Sequence, residues 1–261
     1  MFYWIYDLPL WAGAALFAVV FVGVSWLLVT LLDPWVHRLV DHQSNWASII
    51  SSVLSAYGVF YGITLALIVV ASYQDHVQAG STVALEAASL ATLYRDVSSY
   101  PKPLRGELQG MLREYARDVS ERDWPSQQRG VVPEGGTAQA TAFQARLLTF
   151  EPTTRGEEVL HAETLREFST FVEYRRLRLF SVTVALPAIL WVVMFIGALL
   201  SMTLVALFDV KHLRVHLAVS GILSFFVSLL LYLAVALDNP FRGGVSVSPR
   251  AFEIVQESLM R

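Results

Sequence analysis

There is no cysteine among the 261 residues. Disulfides, thiolate nucleophiles and cysteine-based metal sites are excluded, and the redox state of the compartment leaves no mark on the sequence. Charge is scarce too: Asp, Glu, Lys and Arg make up 16% of the chain against 55% apolar residues. With a mean hydropathy of +0.51, that make-up belongs to a membrane protein rather than a soluble domain. A net charge of -3, with no basic patch interleaved with aromatics, offers nucleic acid no partner. Walker loops, GxSxG, HExxH and Cys/His zinc spacings are missing, so no enzyme class is indicated and no cofactor is implied.

Asp, Glu, Lys and Arg are also absent from the interiors of four long apolar runs. These are Leu8 to Leu32, Trp46 to about Tyr73, Ser181 to Phe208, and about Leu213 to Leu237, each long enough to cross about 30 Å of hydrocarbon as a helix. The N-terminal MFYWIYDLPLW carries no basic residue and reads as part of an uncleaved first span, with Trp4, Trp11 and Trp35 as interfacial aromatics. Pro34 is expected to stop the first helix and Pro187 to kink the third. Ser220, Ser224 and Ser228 form a small stripe on the fourth that invites close packing. Proton-coupled pumps place charged groups inside the membrane, so active transport by this chain is disfavoured. A passive pore needs no buried charge.

The second span differs in texture. At 100° per residue, Ser48, Ser51, Ser55, Gly58, Gly62 and Ala66 share one face, and Tyr57, Tyr61, Thr64 and Ile68 another. Tyrosine hydroxyls in hydrocarbon require partners, so neither face suits lipid and this span is expected to be the most enclosed. The small face has two readings. It either packs on a matching stripe, which the fourth span offers, or lines a pore when several copies surround an axis.

No proline interrupts the chain from Trp46 to Tyr100, so the second span is expected to continue as an amphipathic helix, with Gly80 the one candidate break. Val83, Ala87, Leu90, Tyr94 and Val97 form a seam. Residues 104 to 123 read as a second helix, 124 to 139 as a turn-rich loop, Ala138 to Thr149 as a short helix and Thr154 to Leu179 as a long one. Residues 74 to 180 hold 13 Lys/Arg and 15 Asp/Glu. The fold expected is an all-α integral membrane protein: spans 1 and 2 over 1–73, a helical bundle over 74–180, spans 3 and 4 over 181–237, and a tail over 238–261 ending in a small helix with Ser248 as N-cap. Arg175, Arg176, Arg178, Arg242, Arg250 and Arg261 on the bundle's side outweigh Arg38, Lys211 and Arg214 opposite, which puts the bundle and both termini in the cytoplasm.

Three constellations outside the spans carry polar chemistry. Glu86, Arg95 and Asp96 on the seam helix either pair with neighbouring helices or wall a charged vestibule below the membrane. Asp238, Asn239, Pro240 and Arg242 form a dense turn after the fourth span, better suited to local hydrogen bonds than to a cation. His212 with His216, and His37 with His42, have helical spacing but no third ligand, so no metal site is expected.

The blocks YGVFYGITLALIVVASYQDH, EAASLATLYRDV, LREYARDV, DWP and LDNPFRGGVSVSP resemble the signatures of the bestrophin-like domain family of mostly bacterial membrane proteins. The resemblance spans about Asn45 to Leu259. Its layout is similar to that of bestrophins, pentameric ion channels whose second membrane helices line the pore. It therefore implies a homo-oligomeric, pentameric channel in a bacterial inner membrane that passes ions passively along the second span. The chain departs from bestrophins in lacking their neck series on that helix and their acidic calcium clasp after the fourth span, so selectivity and calcium gating do not transfer. The rival reading is a non-conducting scaffold or sensor acting through its helical bundle. Flagellar-stator-type subunits share the layout, but the partner carboxylate they work with has no counterpart here.

Overall fold

The computed structural model describes residues 5–6, 8–40, 45–133 and 135–260. Trp4, His42 and Arg261 lie outside the described residues. Nine α-helices and no strand are found among those described: α1 Leu10–Val40, α2 Trp46–Asp96, α3 Leu104–Asp118, α4 Trp124–Gln128, α5 Gly135–Leu147, α6 Arg155–Ser181, α7 Ala188–Ala206, α8 Leu213–Asp238 and α9 Arg250–Leu259. Four of them, α1, α2, α7 and α8, are long and apolar enough to cross a membrane. The chain forms two compact units, residues 1–74 with 185–238 and residues 75–184 with 239–261.

In the first unit α8 packs most extensively on α1. The core joins Phe17, Leu65, Ile68, Trp191, Met194, Val227 and Leu231. Trp26 Nε1 donates to the Leu217 carbonyl at 2.9 Å, and the missing side chain at Gly13 makes room for the Tyr232 ring. Pro34 does not stop α1, which runs on to Val40. Proline forfeits one bond, to the Thr30 carbonyl, and near the end of the apolar run that loss is tolerated. Pro187 is not a kink either. It is the N-cap of α7, and residues 182–187 are non-helical, because proline's fixed φ and missing N–H suit a helix start. The Leu186 N–H donates to Asp238 Oδ1 at 2.6 Å, placing a carboxylate at the positive end of the α7 dipole.

The second unit is built around the seam of α2. Val83, Ala87, Leu90, Leu93 and Val97 are buried with Leu108, Leu112, Phe143, Leu147, Phe168, Phe171 and Phe252. The helix passes Gly80 unbroken. Thr154 caps α6 in a reciprocal box with Glu157, and the Thr153 and Thr154 N–H groups hold the Glu157 carboxyl below its ordinary pKa. The expected loop at 124–139 is largely helical. Pro125 lies in α4 just past a π-helical turn at Val119–Asp123 that joins it to α3, a local widening in which a missing backbone donor is accommodated. Helix α5 begins at Gly135, before the Ala138 expected, and a Cβ at Gly136 would crowd the Arg175 guanidinium. The last helix starts at Arg250 with Pro249 as N-cap, one residue later than the Ser248 cap expected.

Candidate functional site

The membrane half of α2 has three faces. Ile50, Leu65, Ile68 and Ser72 are buried on one, with Tyr57 and Tyr61 half-buried beside them. Both tyrosines reach α7: Tyr57 Oη donates to the Gly197 carbonyl and Tyr61 Oη to the Met194 carbonyl at 2.9 Å. Two mid-span hydroxyls thereby find acceptors in hydrocarbon. Their rings are stacked 5.7 Å apart, and Gly197 is the residue that lets them approach, since a Cβ there would run into the Tyr61 ring. Trp46 Nε1 adds a third tie, to the Leu207 carbonyl at 2.8 Å.

Ser48, Ser51, Ser55, Gly58, Gly62 and Ala66 are all exposed along the second face. Ser51 and Ser55 donate back to the Ser48 and Ser51 carbonyls at 2.9 and 2.7 Å, so each hydroxyl oxygen keeps acceptor capacity outward. A Cβ added at Gly58 or Gly62 would meet nothing. The third face carries exposed Ile49, Val53, Phe60, Ile63 and Leu67. The expectation that this span is the most enclosed does not hold within one chain. Its most apolar window is 11% buried, against 44% for α8, because only the tyrosine face meets a partner. The α8 stripe does not pair with the small face: Ser220, Ser224 and Ser228 are buried on a helix whose closest partners are α1 and α7.

Glu86 is fully buried in the second unit, where it meets the first of its two expected readings, a pairing with neighbouring helices. Its carboxylate accepts from Arg178 Nε at 2.6 Å and Nη2 at 3.2 Å, and from Tyr115 Oη at 2.6 Å. Asp123 lies 3.9 Å from Arg178, and the guanidinium sits over the Phe252 ring at 5.8 Å. Burial works against the Arg178 charge, but Glu86 outweighs it and raises the pKa. Burial also pushes Tyr115 well up, with Glu86 adding to it, and raises Asp123 against the pull of Arg178 and Arg175. A hydrophobic seam pattern gives no hint of this cluster. The signal available was two arginines three apart in YRRLR, on the same side of α6. Arg95 and Asp96 remain at the surface, Arg95 exposed and Asp96 half-buried.

Asp238 is buried and also accepts from Tyr6 Oη at 3.2 Å, so it has partners far along the sequence. In the second unit the Asn239 carbonyl accepts from the Arg242 N–H at 3.1 Å and the Pro240 carbonyl from the Val247 N–H at 2.8 Å. Arg242 Nη1 reaches the Arg129 carbonyl at 3.4 Å. Gly243, at φ +83°, closes the turn. His216 Nε2 meets the Val205 carbonyl at 2.9 Å, while His212 is exposed beside it in sequence. No three His, Asp or Glu side chains converge as a metal site among the described residues.

The model of the Bestrophin-like domain matches residues 16–252. The chain belongs to this family. A crystal structure of a bacterial Bestrophin homolog from Klebsiella pneumoniae, bearing a point mutation, matches the bestrophin-like chain with a TM-score of 0.66 at 15% identity, covering 95% of this chain and 99% of that one. Another structure of a bacterial Bestrophin homolog from the same organism gives 0.63 at 16%, covering 91% and 96%. A third, described as a membrane protein with a point substitution, gives 0.64 at 16%, covering 94% and 96%. At such identities the likeness is one of fold. No curated protein matches. The blocks EAASLATLYRDV, LREYARDV and DWP, on which the resemblance rests, supply Glu86, Tyr115 and Asp123 to the one buried cluster.

Proposed function

We propose that this bestrophin-like protein is a homo-oligomeric ion channel whose central path is lined by α2. The observation that carries this reading is the pair of uncovered faces on α2. A span tied to its own chain along one face, by Trp46, Tyr57 and Tyr61, leaves a small hydroxyl-bearing face and a bulky apolar face open. Repetition around an axis satisfies both: Ser48, Ser51, Ser55, Gly58, Gly62 and Ala66 face the path, and Ile49, Val53, Phe60, Ile63 and Leu67 meet the neighbouring copy. Ions then move passively past hydroxyls and backbone, with no Asp, Glu, Lys or Arg inside the span. Arg95 and Asp96, farther along the same helix, are assigned to a vestibule beyond the membrane. Five subunits in a bacterial inner membrane, with the helical bundle and termini in the cytoplasm, complete the proposal by family likeness and basic-residue bias.

Subunit counting by native mass spectrometry, together with planar-bilayer recording of the purified protein, tests it. A ring that conducts under a salt gradient is the expected result. A closed dimer with no conductance over a range of salt, pH and tension overturns it in favour of a membrane-anchored scaffold.

A further inference from the structure

The first unit carries a groove that the conduction reading does not use. Its volume is about 620 Å³, within the range of roughly 300–1,000 Å³ found for ligand sites. Leu54 of α2, Val205 of α7, and Val215, Val219, Ile222 and Phe226 of α8 wall it, and its lining is almost wholly apolar. His216 also lines it, and is 2% exposed. Because a carbonyl can only accept, the bond from Nε2 to the Val205 carbonyl fixes the proton on Nε2. Nδ1 is then an acceptor, and it is buried without a partner among the described residues. Lys211, His212 and Arg214, all exposed, are interleaved in sequence with the lining residues Val210, Val215 and His216. The α7–α8 turn therefore sets cations beside an apolar slot.

We propose that this groove holds an acyl chain of an anionic phospholipid from the surrounding bilayer, with the phosphate met by Lys211 and Arg214. An acyl chain matches the apolar walls. A phosphate matches a turn with two cations, since opposite charges attract most where water is partly excluded. Phosphatidylglycerol, which carries the phosphate without a neutralising amine, is the probe of choice.

The intact protein, delipidated in detergent, is titrated with phosphatidylglycerol or phosphatidylcholine of identical chains, and retained lipid is counted by native mass spectrometry. Wild type is expected to retain phosphatidylglycerol about tenfold more tightly, and K211Q/R214Q to lose that preference while still folding, since both positions are exposed. Val219→Trp, also at an exposed position, fills the groove and is expected to abolish retention of either lipid with the oligomeric state unchanged. Equal retention of the two lipids by wild type overturns the proposal, as does undiminished retention by Val219→Trp. So does a single cysteine at Val219 that stays shielded from maleimide in the delipidated oligomer, since a second copy then covers the groove. None of these readouts depends on conductance.

Discussion

At the scale of single residues, the Glu86–Arg178 pair is the most consequential, because both side chains are wholly buried. Removing one partner strands a charge and is expected to cost about 3–5 kcal/mol. Glu86→Leu and Arg178→Met should each lower the unfolding midpoint sharply, and the double variant should recover most of the loss. Additive losses in that cycle would show that the two do not act as a pair. A milder effect is expected at His161, whose Nδ1 lies 2.8 Å from Tyr100 Oη and whose pKa is held below its ordinary 6.5 by burial. A depressed histidine pKa means the unfolded chain binds the proton more readily, so stability rises with pH through this window and falls as pH drops below 6.5. Wild type should therefore lose more thermal stability than His161→Gln between about pH 7 and pH 5. Legibility at this scale is mixed. The Thr154–Glu157 cap can be read locally because both partners lie within one turn. Glu86 cannot, because its partner is 92 residues away and a charge beside a seam looks solvated.

At the scale of elements, the tyrosine face of α2 on α7 decides how the second span is held. Gly197→Ala is expected to destabilise by about 1–3 kcal/mol, as overpacking does, and Tyr61→Leu in the same chain should relieve part of it. Tyr61→Phe, which loses only the bond to the Met194 carbonyl, should cost about 0.6 kcal/mol. Thermal unfolding in one detergent checks the order of the three. The spans were legible because charge-free runs of that length have few alternatives. The prolines and glycines misled where packing overrode propensity: Pro34 lies inside a helix, Pro187 begins one, and Gly135 and Gly136 open α5. The pairing of small stripes was illegible for a different reason. Periodicity shows that α8 has a serine stripe, but not that its chief partner is α1.

At the scale of the whole molecule, one chain leaves apolar and hydroxyl-bearing surface of α2 uncovered together, and lipid suits only the first. The proposed assembly would resolve that conflict and give the two open faces a polarity: small residues to the axis, bulky ones to the neighbour. The sequence could show that such a helix exists, since its small and tyrosine faces follow from spacing. It could not show which face stays open, because that depends on where α7 lies.

Because the chain has no native cysteine, single cysteines report on α2 without background. The most direct test is bilayer recording of Ser55→Cys and Ile63→Cys channels exposed to a charged, membrane-impermeant thiol reagent. The predicted result is a loss of most of the current in Ser55→Cys and none in Ile63→Cys. Block of Ile63→Cys alone, or currents indifferent to modification at both positions, would contradict a path lined by the small face of α2.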